Sequence, residues 1–399
     1  MARMDEIFDG DSHFYEPRDS FTRHIDAAYA EGTFRTEIDA EGHEILLAAG
    51  QPVRLLDASL FDEVGRPGSL REMLLTMKTG GSVGDSYSME PMRPEYQDRD
   101  ARLAVMDTQR VQACLMFPST ALLAEHYLRE TDLLYASLRA WNRWCAEEWG
   151  FAYQERIFGL PQLSLRDLDM AVDLLDWVLD KGARAILLPT GPVYGRSPGD
   201  PYFDPFWARV NEAGVTVAYH ISEPAMSYTE RRSPDWGQQP EPTFYTQSAW
   251  QWTFTYGDQP VMETLAALVF DNLFARFPNI KVLSVEHGCE WVPPLLRRMD
   301  KMRGLGRNGP WVGGPLPARP SEIFLEHVRV TPYPEDDVAA VVQRLGPDLI
   351  VAGSDYPHPE GLAEPASFEQ LLQNLPADQR RKLLRDNGLQ LVGLATAAA

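Results

Sequence analysis

Phe8-Asp9-Gly10-Asp11-Ser12-His13 is the stretch whose reading decides the fold. Ile7 and Phe8 read as the end of a short apolar strand, and Asp11 and His13 follow two residues apart. Side chains at i and i+2 on a strand point to the same face. A carboxylate and an imidazole aimed at one point make half of a divalent metal site. Alone, an Asp-x-His pair fits equally well a turn cap beside an ordinary polar histidine. The metal reading therefore requires the other half of the site at the ends of later strands.

Those later strands are legible from about residue 100. Asp100 to Gln109 suits a helix, and Ala113 to Phe117 a short buried strand. Leu133 to Trp149 reads as a helix, Ile157 to Leu160 as a strand, and Asp167 to Lys181 as an amphipathic helix ending at Gly182. Ala185 to Leu188 is a strand, Asp204 to Ala213 a helix stopped by Gly214, and Val215 to His220 a strand. Gln259 to Phe277 is a helix, Lys281 to His287 a strand, and Val292 to Met302 a helix. Phe324 to Val330 reads as a weaker strand, Glu335 to Leu345 as a helix, and Leu349 to Ala352 as a strand running into Gly353-Ser354-Asp355. Two helices, Pro365 to Leu375 and Pro376 to Leu394, finish the pattern before a frayed Ala-Thr-Ala-Ala-Ala tail.

Counted from Ile7, this makes eight apolar strands, most followed by a helix. Continuous apolar strands alternating with helices imply a parallel sheet covered outside by helices. Eight such units imply an α/β fold, a (β/α)8 TIM barrel, with its active site at the C-terminal ends of the strands. An open doubly wound sheet is the alternative, but no Gly-x-Gly-x-x-Gly turn follows the first strand. The expected organisation is one domain over residues 1–399 with insertions at about 16–99 and 221–258. In the first, Phe34 to Leu47 reads as a hairpin around Glu41-Gly42, and Gly65 to Pro94 as a long loop or ordered insertion beside the barrel mouth.

Composition narrows the partners. The formal net charge of −21 argues against nucleic acid or an anionic membrane as partner, leaving a small-molecule substrate. Three scattered cysteines, Cys114, Cys145 and Cys289, imply no disulfide framework and suit a reducing cytoplasm. No signal peptide and no apolar run long enough for a membrane span is expected.

Under the barrel reading, polar residues gather at the strand ends: Asp11 and His13 after strand one, His220 after strand five, Glu286 and His287 after strand six, and Asp355 with His358 after strand eight. Four of the eight histidines fall there, which favours a metal centre over separate structural roles. On these residues the chain resembles the amidohydrolase superfamily, in the branch of aminocarboxymuconate-semialdehyde decarboxylase and the resorcylate-type decarboxylases. The matching pieces are Asp11-Ser-His13, His220, Val285-Glu-His-Gly-Cys-Glu-Trp-Val-Pro293, Gly353-Ser-Asp-Tyr-Pro-His358, Asp386-Asn-Gly-Leu-Gln-Leu and the loop Asp200 to Trp207. The resemblance implies ligation by Asp11, His13, His220 and Asp355, and a homodimer. Relatives often carry His-Gly-Gly at strand six, with that histidine as acid or base. Here Glu286-His287-Gly288 stands there, so either Glu286 or His287 fills that role. Strand four, Ala183 to Pro189, offers no lysine to bridge two metals. Glu286 would then be the bridge, with His287 or His358 aiding a second ion. One or two ions of zinc, iron or manganese are expected.

Such an ion polarises a carbonyl and lowers the pKa of bound water. With Asp355, Glu286 or His287 handling the proton, the expected reaction is hydrolysis of an ester, amide, lactone or acyl thioester of a bulky apolar or aromatic acid. The alternative is non-oxidative decarboxylation of an aromatic or unsaturated acid, and a second is a non-catalytic, metal-stabilised barrel. The insertion from Ile221 to Asp258 carries Tyr228, Trp236, Phe244, Tyr245, Trp250, Trp252, Phe254 and Tyr256. It reads either as a packing surface or as an aromatic lid, with Trp250 and Trp252 facing substrate. Tyr194 and Arg196 are candidates for holding a substrate carboxylate.

Overall fold

The computed structural model describes residues 6–53, 61–80, 87–222, 228–242 and 246–394. Phe244, Tyr245 and the tail from residue 395 lie outside the described residues, as do residues 81–86 of the expected Gly65–Pro94 insertion. The strands in chain order are β1 (Ile7–His13), β2 (Arg35–Ile38), β3 (Glu44–Ala48), β4 (Gln51–Pro52), β5 (Glu63–Gly65), β6 (Met89–Pro91), β7 (Val111–Phe117), β8 (Ile157–Gly159), β9 (Ala185–Leu187), β10 (Thr216–His220), β11 (Lys281–Val285) and β12 (Val328–Val330).

β1, β7 and β8 form one parallel sheet, and β9 to β12 form another in sequential order. Isolated bridges and a few backbone hydrogen bonds join the two sheets at both seams. Gln162 bridges Leu187 on one side. On the other, Ile350 bridges Val330, and Gly10 N–H donates to Ala352 O at 2.8 Å. This is an α/β fold with the strand order of a (β/α)8 barrel. The eighth strand is a run of bridges at 350–356 rather than a full ladder.

Alternation along the strands explains the two layers of core. Ala113, Leu115, Leu187, Ala218, Leu283 and Val351 pack together in one cluster with Phe8 and Leu389. The intervening Cys114, Met116, Ile186, Val217 and Val282 face the helices. That is the two-residue period of a strand buried on both sides. His220 and Val285 continue the inward set at the C-terminal edge. β1 departs from strict alternation, because its pairing with β7 slips between Asp9 and Ser12. A slip of this kind re-aims side chains next to a site.

The expected hairpin forms, with β2 antiparallel to β3 and β4 added to its edge. Of the two readings of the stretch from Gly65, the ordered insertion holds: Ser69–Lys78 is a helix, α1, with Glu72 in its first turn and Lys78 in its last. Two readings need correction. Phe324 to His327 is helical rather than strand. Pro320 opens the helix Pro320–His327 and the Glu322 carboxylate accepts from Arg319 N–H at 3.1 Å, so only Val328–Val330 is left to pair with β11. The helix expected through Phe277 breaks at Asn272, whose φ is +56°.

Candidate metal centre

Five donors converge at the C-terminal edge of the strands. His13 Nε2 lies 3.0 Å from His220 Nε2 and 3.3 Å from Asp11 Oδ1. His220 Nε2 lies 3.5 Å from both Asp11 Oδ1 and Glu286 Oε2, and His13 Nε2 is 3.5 Å from Asp355 Oδ1.

The backbone decides what those nitrogens are. His13 Nδ1 is 3.1 Å from Pro118 O, and His220 Nδ1 is 2.7 Å from Ile221 O. A carbonyl only accepts, so each Nδ1 carries the hydrogen and, in the neutral ring, each Nε2 presents a lone pair. Burial, then the His358 charge, pushes His13 down to about 3, which keeps it neutral. Two lone pairs 3.0 Å apart beside carboxylates repel unless a cation sits among them.

The carboxylates make the same case. Asp11 Oδ1 and Asp355 Oδ2 are buried and accept no hydrogen bond. Burial, followed by the negative charges of Asp355 and Asp11, holds Glu286 well above the ordinary carboxyl range. Burial, then Glu360 and Asp11, does the same to Asp355. A divalent cation fits this set: imidazole nitrogens with their other nitrogen tied to backbone, and carboxylate oxygens with nothing else to accept. Asp11, His13 and His220 form one group able to hold it, His13, Asp355 and His358 a second, and Asp11, Glu286 and Asp355 a third.

Local backbone geometry aims these groups. Glu286 and Asp355 both occupy the left-handed region, at φ +58° and +57°, where non-glycine residues cluster at functional sites. Thr331 Oγ1 accepts from Glu286 N–H at 2.8 Å, and Tyr333 O–H donates to Glu286 O at 2.7 Å. Asp355 N–H donates to Asp11 O at 2.8 Å. Gly288 is required because a β-carbon there would lie 2.7 Å from the Tyr333 ring.

A cavity of about 420 Å³ opens onto the carboxylates. Asp11, Glu286, Asp355 and Glu360 line one side, residues 331–335 another, and Arg71, Leu74, Leu75, Met77 and Lys78 of α1 a third.

A family model described as amidohydrolase matches residues 38–394, most of the chain. The chain belongs to the amidohydrolase family.

Its relatives agree with that. An amidohydrolase from Mycobacterium avium subsp. paratuberculosis K-10 superposes with a TM-score of 0.87 at 32% identity, over 97% of this chain and 99% of that one. A dihydroxybenzoic acid decarboxylase from Polaromonas sp. JS666, solved with manganese and 2-nitroresorcinol, gives a TM-score of 0.63 at 16% identity over 98% of both chains. The 2-amino-3-carboxymuconate-6-semialdehyde decarboxylase of Dictyostelium discoideum is 22% identical over 244 residues, 60% of this chain. The match spans 62% of that relative's length. The branch expected from Asp11-Ser-His13 and Gly353-Ser-Asp355 is therefore the right one, and this protein is an enzyme of the amidohydrolase superfamily.

In this amidohydrolase, Asp11, His13, His220, Glu286 and Asp355 come together as read from the strand ends. His358 is adjacent, but its Nδ1 lies 2.7 Å from Asp355 Oδ1 and its Nε2 3.0 Å from Ser119 Oγ, so both nitrogens have protein partners. His287 is buried with Nδ1 3.0 Å from Ser284 Oγ, and burial pushes it down to about 3. It does not line the cavity. Trp250 packs against Trp236 and Phe254, with ring centroids 5.4 and 5.7 Å away, and Trp252 against Tyr256. Neither tryptophan lines the cavity. Tyr194 covers Arg166, and Arg196 lies over Tyr202 beside Asp200. These two are also outside the lining. The wall is supplied by α1, which lies in the insertion expected beside the barrel mouth, and by Tyr333 and Glu360, which the sequence did not single out. The helix had a usable signal in Leu70, Leu74, Leu75 and Met77 at helical spacing.

Proposed function

We propose that this amidohydrolase is a metal-dependent, non-oxidative decarboxylase of an aromatic or unsaturated carboxylic acid, with hydroxybenzoic acids as the first class to try. The observation that carries the proposal is the cavity itself. It joins a carboxylate-rich floor to a wall of Leu74, Leu75, Met77, Tyr333 and two prolines, a shape and polarity suited to a flat acid presenting its polar edge to the floor. The names of the Polaromonas and Dictyostelium relatives point the same way. Hydrolysis, the reaction first expected from the extra carboxylate at Glu286, has less support, since the relatives whose names give a substrate are decarboxylases.

Asp11, His13, His220 and Asp355 would hold one divalent ion, with Glu286 at its edge. The three possible donor groups share Asp11, His13 and Asp355 among them, which favours one ion at their common centre, with His358 beside it. When bound, the ion supplies positive charge to anchor the acid's oxygens and to draw electron density from the carbon being cleaved. Manganese is the first choice because the Polaromonas neighbour holds it. Glu286 delivers the proton: its carboxyl is the more open one, 20% exposed against 9% for Asp355. The bond from carbon to carboxylate breaks, its electron pair stays on carbon, the Glu286 proton forms the new C–H bond, and carbon dioxide leaves. His358 holds Asp355 through the 2.7 Å hydrogen bond.

The proposal includes one domain across the described residues and the cytoplasmic homodimer expected from sequence. Among the described residues no helix is long and apolar enough to cross a membrane. The test is to supply manganese-loaded enzyme with hydroxybenzoic acids and with aromatic esters in ¹⁸O-labelled water. Carbon dioxide without ¹⁸O in the remaining organic product supports the proposal. Acid bearing ¹⁸O, without carbon dioxide, replaces it with hydrolysis.

A further inference from the structure

Asp9 is a buried carboxylate that touches none of the converging donors, yet it joins the two segments that carry them. It is 2% exposed. Its Oδ1 accepts from Ser354 N–H at 2.9 Å and from Asp11 N–H at 3.2 Å, and its Oδ2 accepts from Ser354 Oγ–H at 2.6 Å. Asp11 and Asp355 are the next polar residues on either side of this knot. Ser354 Oγ in turn accepts from Tyr356 N–H at 3.0 Å, so the loop on both sides of Asp355 is tied to one carboxylate. Asp9 also stands where the pairing of β1 with β7 slips. Backbone bonds from Gly10 N–H to Ala352 O and from Asp355 N–H to Asp11 O, both 2.8 Å, join the same two segments, and Asp9 adds the side-chain tie between them.

We propose that Asp9 and Ser354 form a clamp that sets the spacing of the Asp11 and Asp355 carboxylates, making Asp9 a positioning residue for the bound ion. The proposal rests on the reading that Asp11 and Asp355 grip that ion. Outer partners of this kind typically change metal affinity 10- to 100-fold. Asp9→Asn keeps the shape and one acceptor but loses the acceptor for the Ser354 hydroxyl. Ser354→Ala removes the same bond from the other end, together with the acceptor for Tyr356 N–H, and leaves the backbone donor intact.

The experiment titrates chelator-stripped full-length protein with Mn²⁺, following heat and the electron paramagnetic resonance of bound manganese, alongside the melting temperature of the metal-free protein. Asp9→Asn is expected to weaken Mn²⁺ binding by about 10- to 100-fold, with a changed resonance of the bound ion and a metal-free melting temperature close to wild type. Ser354→Ala is expected to weaken it as well, and the double variant to lose less than the sum of the two, since both remove the Asp9–Ser354 bond. Wild-type affinity in both single variants overturns the clamp. So does a lowered metal-free melting temperature with unchanged affinity, or losses that simply add in the double variant. Should Asp9→Asn fail to fold, Ser354→Ala alone decides, by affinity and resonance. Asp11→Ala in the same titration separates the two readings. If it still binds Mn²⁺ as wild type does, the metal centre itself is misread. If it loses the ion while Asp9→Asn and Ser354→Ala do not, only the clamp fails.

Discussion

Gly353→Ala tests how closely the metal centre is packed. A β-carbon on Gly353 would lie 2.7 Å from the Asp11 β-carbon and 3.2 Å from that of Thr331. Carbon atoms rest at about 3.5–4.0 Å, so relief needs roughly 1 Å of separation between β1 and the strand-eight loop. Thr331 blocks retreat on the other side, and Asp355 N–H is bonded to Asp11 O at 2.8 Å, so the movement falls on the donors. Overpacking of this size costs about 1–3 kcal/mol of stability, and a misplacement of about 1 Å at a reacting centre costs on the order of 10²-fold in rate. The variant should therefore melt lower, bind Mn²⁺ more weakly, and turn over about a hundredfold more slowly. Gly182→Ala is the control: its φ is +86° with open space around the β-carbon. It should lose about 1 kcal/mol from left-handed strain and keep wild-type ion affinity. Gly353→Ala binding the ion and turning over like wild type would refute the close approach of Asp11 to the loop, and with it the geometry of the site.

Three other outcomes follow from the same coordinates. The Glu125–Arg166 pair is 3.2 Å apart with both side chains 3% exposed, so Arg166→Met strands a buried carboxylate. It should cost about 3–5 kcal/mol, read by chemical denaturation; a loss below about 1 kcal/mol contradicts this. Burial, then the Arg129 charge, pushes His126 down to about 4, against an ordinary value near 6.5. The unfolded chain takes up that proton first on acidification, so the contribution is complete above about pH 6.5 and is lost progressively toward pH 4. The loss is at most about 3 kcal/mol, less any solvent screening of the ring. His126→Gln should flatten that limb of melting temperature against pH, and an unaltered limb would count against it. Finally, Leu74→Ala and Leu75→Ala on α1 should raise KM for the acid several-fold, whereas Trp250→Ala should leave it near wild type. The reverse pattern in steady-state kinetics would return the lid to the strand-five insertion.

How much of this was legible depended on what kind of interaction carries each feature. The alternation of Val217, Ala218, Tyr219 and His220, or of Val282, Leu283 and Val285, is imposed by burial on both sides of a parallel strand, and it survives in the sequence as short apolar runs. The donors were legible because they sit where those runs end. The helical start before β12 was misread because Phe324 and Leu325 are apolar in either conformation, and Pro320 with Glu322 carried the deciding signal. Nothing local marks Asp9 as a clamp, since its partner Ser354 is 345 residues away. The insertion was legible as lying beside the barrel mouth, but the cavity-lining residues of α1 were not, because its packing against the Asp355 loop, Leu70 N–H to Pro359 O at 2.9 Å, depends on tertiary contacts alone.

The central claim is that distant carboxylates and imidazoles grip one cation. Metal content per chain, measured on protein purified without chelator and compared with His220→Ala and Asp355→Ala, tests it most directly. About one divalent ion per wild-type chain is expected, with near-complete loss in both variants, each still folded. Wild-type protein without stoichiometric ion, or variants that retain it, would contradict the account.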